Sequence, residues 1–148
     1  MEISVGPNVI SGVAAVIDGD TIKIEGQTVR LFGIDSPETK QWSEDENRKP
    51  YACGIVAKAW LTWLLHNVQV TCKTEARKDR YGRYLAVCYT DNIDINDWMV
   101  GRGLALAYIA YSRQYLAVQV DAETRGVGLW RGTFIAPWEW RASKRKKQ

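Results

Sequence analysis

"SGVAAVIDGDTIKIEGQTVRLFGI", residues 11–34, reads as three short strands folded back on one another. Ile22 and Ile24 alternate with Thr21 and Lys23, as a half-buried strand requires. The turns between the strands are Asp18-Gly19-Asp20 and Glu25-Gly26. Asp-Gly alone is an ordinary turn signal, so a turn with two acids asks for a second explanation.

After this three-stranded unit comes "DSPETKQWSEDENRKP", residues 35–50, polar, acid-rich and bounded by prolines, which reads as a long loop. From Tyr51 to His66 the period changes. Ala52, Ile55, Val56, Ala59, Trp60, Trp63 and Leu64 fall at three- and four-residue spacing, which predicts an amphipathic helix. "NVQVTCKT" and "RYLAVCYT" read as two further strands joined by "EARKDRYG". "DINDWMVGRGLA" predicts a second helix with Asp94 as N-cap and Asp97 three residues on. "SRQYLAVQVDAETRG" predicts a third, with Ser112 as cap and Gly126 as stop. The tryptophan-rich "VGLWRGTFIAPWEWR" reads as irregular chain that seals the core. Five short strands with a helix after the third suit an α+β, mainly β fold. The expected architecture is a five-stranded Greek-key barrel of the oligonucleotide/oligosaccharide-binding (OB) type with three α-helices. Such a barrel puts loops at its mouth, where a site can be built, but fold alone does not settle function.

The chain's 148 residues suit one domain, with 46% apolar and 25% charged residues. The expected division is an N-terminal extension over 1–8, the barrel domain over 9–140 and a basic tail over 141–148. Of 20 basic and 17 acidic residues, five basic ones lie from Arg141 onward. The remainder is 15 against 17, or −2, so overall basicity is no argument for a nucleic-acid partner. "RASKRKKQ" reads as a solvated tail. No stretch is long and apolar enough for a membrane helix, and "MEISVGPNVI" has no visible signal-peptide pattern. With one histidine and no C-x-x-C pair, a zinc site and a two-histidine nuclease are excluded. His66 reads as a helix-end residue.

Four motifs remain: "DGDT" at 18–21, "VRLFGIDSPET" at 29–39, "DRYGR" at 79–83 and "GRGLA" at 101–105. Each is weak by itself. In this order and spacing they resemble the staphylococcal nuclease (thermonuclease) family, in its bacterial branch, from about Val13 to Trp130. The resemblance implies a calcium-dependent nuclease hydrolysing phosphodiesters of DNA and RNA. By that resemblance Asp20, Asp35 and the backbone carbonyl of Ser36 would ligate Ca²⁺. Glu38 would be the catalytic glutamate, Arg30 and Arg83 the phosphate-binding arginines, and Asp18 a nearby acid outside the ligand set. Arg80 and Tyr81 match nucleotide-binding positions. Tyr108 and Tyr111 lie where the family has nucleotide-contacting tyrosines, and which corresponds stays open. The chemistry agrees: Ca²⁺ takes oxygen ligands, a carboxylate can orient or deprotonate water, and guanidinium forks match phosphoryl oxygens. The alternative is a non-catalytic nucleic-acid-binding module of the same fold. No membrane and no obligate protein partner are implied, and a monomer is expected.

Cys72 and Cys88 stand eight residues either side of Arg80. Residues equidistant from a hairpin turn face each other, so a disulfide is feasible, unless a bulge shifts the register. Two small buried hydrophobes are the alternative. A bridge would indicate an oxidising compartment and suit a secreted or periplasmic enzyme.

Overall fold

The computed structural model describes residues 8–146. The predicted N-terminal extension thus lies outside the described residues, apart from Asn8, whose carbonyl accepts from the Thr74 N–H at 2.9 Å. Strands β1 (Val9–Asp18), β2 (Thr21–Ile24) and β3 (Gln27–Leu31) form the expected meander. Short strands follow: β4 (Ile34–Asp35), β5 (Ser43–Glu44) and β6 (Pro50–Tyr51). Helix α1 (Cys53–Leu65) leads to β7 (Gln69–Lys78) and β8 (Tyr84–Thr90), then β9 (Ile93–Asp94). The chain ends with α2 (Ile95–Gly101), β10 (Leu106–Ala107), α3 (Leu116–Arg125), a 3₁₀ turn over Gly128–Arg131 and α4 (Pro137–Lys146). β1 pairs antiparallel with β2 and β7, β2 with β3, and β7 with β8. A parallel pairing of β3 with β8 closes the five-stranded barrel. This is the predicted OB-type topology.

The barrel is filled by Ile22, Ile24, Val29, Leu31, Val70 and Ala86, all fully buried. Buried Asn96 ties its rim together. Its Nδ2 donates to the carbonyls of Phe32 (2.9 Å) and Ala86 (3.1 Å), and its Oδ1 accepts from the Cys88 N–H (3.2 Å).

Several predicted details are corrected. There are four α-helices among the described residues rather than three, because Pro137–Lys146 is helical where irregular chain and a tail were expected. Pro137 opens it, Glu139 lies in its first turn and Lys144–Lys146 in its last, the charge order that suits a helix dipole. Helix α3 starts at Leu116, since the Ser112 hydroxyl caps only a local turn, accepting from the Gln114 N–H at 3.1 Å. Asp94 and Gly126 act as predicted: Asp94 accepts from the Asp97 N–H, and Gly126 stops α3 with φ +65°. In α1 the core face is Cys53, Ala57, Leu61 and Leu65, while Ile55, Ala59, Trp60 and Trp63 are exposed. The helix is apolar on nearly all sides, so spacing alone did not select the buried stripe. Close approach selected it, because small residues let α1 lie against the site loop.

Cys72 and Cys88 are directly paired and form a disulfide, leaving buried Cys53 as a free thiol. The β7–β8 turn is centred on Tyr81, not Arg80, since Lys78 pairs with Tyr84. An irregularity between Thr74 and Lys78 then restores the register that puts the cysteines opposite each other. The bridge closes a loop of 16 residues. Constraining a loop of that size in the unfolded chain stabilises by about 3 kcal/mol. The double variant Cys72→Ala/Cys88→Ala is therefore expected to unfold about 3 kcal/mol more easily in urea. Thiol titration of the unfolded, unreduced protein should find one reactive thiol, and three would contradict the bridge.

Candidate active site

The turn after β1 supplies the first two acids. Asp18 accepts from the Asp20 N–H (3.1 Å). Asp20 is buried, accepting from the Thr21 hydroxyl at Oδ1 (3.0 Å) and from the Ser36 N–H at Oδ2 (2.8 Å). Gly19 makes this possible, because any Cβ there would collide with the Ser36 side chain and press on Ala57 of α1.

β3 presents Arg30 opposite Thr21, which points the guanidinium at the same turn. Its Nη1 donates to the carbonyls of Leu31 (3.1 Å) and Ile34 (2.9 Å), and its Nη2 to Asp35 Oδ1 (3.2 Å). Nη1 also lies 3.4 Å from Asp20 Oδ2. Burial works against the Arg30 charge, but Asp20 and Asp35 more than offset it and raise its pKa. Burial likewise opposes the Asp20 charge, yet Arg30 and the hydrogen bonds hold its carboxyl below the ordinary range.

β4 ends in Asp35 and pairs with β10, so Tyr108, immediately after β10, sits beside the acid. The Ser36 hydroxyl donates to the Leu104 carbonyl (2.9 Å), fixing the start of the long loop. Glu38 follows in a tight turn. Its N–H donates to the Gln41 side chain (3.2 Å) and its carbonyl accepts from the Gln41 N–H (2.8 Å). A Cβ at Gly54 would overlap the Glu38 backbone, so the start of α1 can only press on this turn without one.

The β7–β8 turn carries Arg83. Asp79 accepts from the N–H groups of Tyr81 and Arg83 (both 2.9 Å) and from Arg83 Nε (2.7 Å). Arg80 and Arg83 both stack on the exposed Tyr81 ring, at 4.9 and 5.3 Å from its centroid. Tyr108 packs against Tyr111 (4.9 Å) and stacks nearly parallel on Trp138 (5.4 Å). The structure thus brings both candidate tyrosines to one place.

All these side chains except Ser36 line one groove of about 960 Å³. Arg77, Lys78, Asp79, Leu85, Trp138, Arg141 and Arg145 line it too. A second cavity of about 710 Å³, between α1 and the helices α2 and α3, shares no residue with it. Arg141 is what sequence reasoning missed. Assigned to a solvated tail, it instead donates from α4 to Asp35 Oδ1 (3.0 Å), Asp35 Oδ2 (2.7 Å) and Glu38 Oε1 (2.9 Å). The predicted core-sealing role of the tryptophans also divides, because Trp130 packs in a small cluster with Leu129 while Trp138 lines the groove.

Four carboxylates therefore meet two guanidiniums. Burial pushes the Asp18 carboxyl up to about 7, helped by the Asp20 charge. Burial also pushes Asp35 up to about 6, with Arg141 pulling the other way. Acids so placed lack counter-charge, and their donors are all hard oxygens, so the set fits a divalent cation of the calcium type. Among the described residues no three carboxylate, imidazole or thiol groups converge tightly enough to hold a cation by themselves. Two carboxylates, a carbonyl and waters would have to suffice, which a calcium shell allows.

Asp18 gives a pH test in the absence of divalent cations. Its folded pKa is raised above the model value of 3.8, so the folded chain keeps a proton that the unfolded chain has lost. The stability this confers is full below about pH 4 and gone above about pH 7. Asp18→Asn keeps an acceptor for the Asp20 N–H but cannot ionise. Its stability relative to wild type should rise across that window by on the order of 1–2 kcal/mol, after discounting for partial exposure. A difference that stays flat from pH 4 to 8 in urea titrations would rule out the raised pKa.

A closed OB-type barrel with an acid-and-guanidinium groove at its mouth defines a class: barrel proteins equipped for phosphate esters. Within it, the chain belongs to the staphylococcal nuclease family, whose model, described as staphylococcal nuclease homologue, matches residues 28–132. The chain is 37% identical over 124 residues to the succinoglycan biosynthesis protein ExoI of Rhizobium meliloti, covering 82% of this chain and 65% of that protein. It is 36% identical over 141 residues to a protein named uncharacterized endonuclease from Haemophilus influenzae, covering 90% and 73%. It is 34% identical over 151 residues to a micrococcal nuclease of Shigella flexneri, covering 90% and 80%. The chain thus spans just under two thirds of the first of these relatives. No helix among the described residues is long and apolar enough to cross a membrane.

Proposed function

We propose that this chain is a calcium-dependent nuclease that hydrolyses phosphodiester bonds of DNA and RNA. The observation that carries this is convergence: Asp20, Arg30, Asp35, Glu38 and Arg83 come from separate segments and line one groove. Relatives named endonuclease and micrococcal nuclease support it.

Asp20, Asp35 and the Ser36 carbonyl would hold the calcium ion, which when bound supplies positive charge to a phosphoryl oxygen. Glu38 takes the proton of a water as its oxygen attacks phosphorus. One P–O bond forms, the ester P–O bond opposite breaks, and solvent protonates the leaving oxygen. Negative charge builds on the equatorial oxygens, and the two arginines meet it. The hydrogen bonds of Arg30 occupy Nη1 and one hydrogen of Nη2, which fixes its plane and leaves Nε and the second Nη2 hydrogen for substrate. Asp79 holds Arg83 by Nε, so its two terminal nitrogens form the fork. Tyr81, Tyr108, Tyr111 and Arg80 offer faces for stacking bases, which is tolerant of sequence and of sugar. The Cys72–Cys88 bridge suits work in an oxidising compartment.

Supercoiled plasmid and single-stranded RNA incubated with the protein in millimolar calcium test this. Nicked, then shortened products are expected from both. Retarded but uncut nucleic acid would instead make the chain a binding module without chemistry.

A further inference from the structure

Arg141 is the groove residue that catalysis as outlined above does not use. Its guanidinium spans Asp35 and Glu38, a proposed cation ligand and the proposed base. A carboxylate oxygen has about two lone-pair sites. Asp35 Oδ1 already accepts from Arg30 (3.2 Å) and Arg141 (3.0 Å), and Oδ2 accepts from Arg141 (2.7 Å). One site on Asp35 is left, directly beside a positive guanidinium. A divalent cation and Arg141 thus compete for the same oxygens and repel each other at contact distance.

The mounting of Arg141 suits exchange. Its side chain is 30% exposed and that of Glu38 33%, so the link to Glu38 can be traded for water, unlike the link of Arg30 to fully buried Asp35. Helix α4 buries only Pro137 among its described residues. Beyond that proline the helix meets the groove through Trp138 on Tyr108 and through Arg141. A shift of its later turns opens no large core.

We infer that Arg141 is an internal counter-cation that competes with the divalent cation for Asp35 and is exchanged out when the cation binds, releasing Glu38 to meet water. This rests on the calcium-dependent reading above. Exchange couples loading of the ion to exposure of the base. The displaced guanidinium stays at the groove rim near Arg145, where it faces the substrate backbone.

Calcium titration by calorimetry, on wild type and on Arg141→Gln, tests this. Circular dichroism establishes that the variant is folded. Removing the competing charge should tighten calcium binding by about tenfold or more. Equal or weaker binding by the folded variant overturns the exchange and leaves calcium dependence standing. No calcium binding to either protein overturns both. Where the variant does not fold, amide hydrogen exchange of the wild type over residues 137–146 decides. Faster exchange there on adding calcium supports displacement of α4, and unchanged or slower exchange overturns it.

Discussion

Arg83→Lys is expected to lower the rate of phosphodiester cleavage by about 10²–10³-fold while leaving the fold intact. The turn that carries Arg83 is fixed by Asp79 through backbone N–H groups, which a lysine retains. The lost contact to the protein is a single part-exposed ion pair at 2.7 Å, and such pairs contribute well under about 1 kcal/mol. What disappears is the planar fork. A lysine ammonium is a point charge and cannot span two phosphoryl oxygens. Arg30→Lys should lose activity at least as severely, but for mixed reasons. It also abandons the Leu31 and Ile34 carbonyls and leaves Asp20 and Asp35 with less counter-charge in a buried place. Steady-state kinetics beside urea unfolding separates the two: Arg83→Lys changes rate alone, Arg30→Lys changes rate and stability. Wild-type turnover by both variants would remove the arginines from the proposed mechanism.

The barrel was legible because its signals are local. Alternation of Ile22 and Ile24, the two-acid turn and the Asp94 and Gly126 caps each act within a few residues. The first half of the groove was legible for the same reason, since Asp18, Asp20, Arg30, Asp35 and Glu38 sit on one meander and the loop it feeds. Arg141 was not, because its partner Asp35 is 106 residues away and only the closed fold joins them. Its surroundings also mislead: after Trp140 the sequence has a run of basic residues and no apolar stripe to mark a helix. The stronger signal was Pro137 followed by an acid and then by bases, the charge order of a short capped helix. The disulfide illustrates a different limit. Counting from Arg80 put the two cysteines opposite each other, although the turn is centred one residue later and an irregularity in β7 makes up the difference. Such irregularities have no reliable mark in sequence, so the right pairing came from two offsets that cancel.

Excess chelator is expected to abolish cleavage, and magnesium is expected to restore it poorly. Taking away the ion is a cleaner test of the proposed metal dependence than taking away its ligands. Asp35 is fully buried between Arg30 and Arg141, and Asp20 lies against Arg30. Replacing either acid by alanine strands buried guanidinium charge, which costs about 3–5 kcal/mol and confuses folding with chemistry. A chelator leaves every side chain in place. Magnesium demands a near-ideal octahedral shell at about 2.0–2.1 Å and gives up water reluctantly, whereas calcium accepts six to eight oxygens in irregular arrangements. The acids here stand on a turn and a loop, spaced by two arginines, and match the permissive ion. Binding should also show without catalysis, because a ligand at about 100 times its Kd stabilises the folded chain by about 2.7 kcal/mol. The melting temperature should therefore climb with calcium, and less with magnesium, over the concentrations at which cleavage appears. Undiminished cleavage in excess chelator would sink the calcium assignment. Cleavage lost to chelator, with no calcium-dependent rise in melting temperature, would place the ion on the substrate rather than on Asp20 and Asp35.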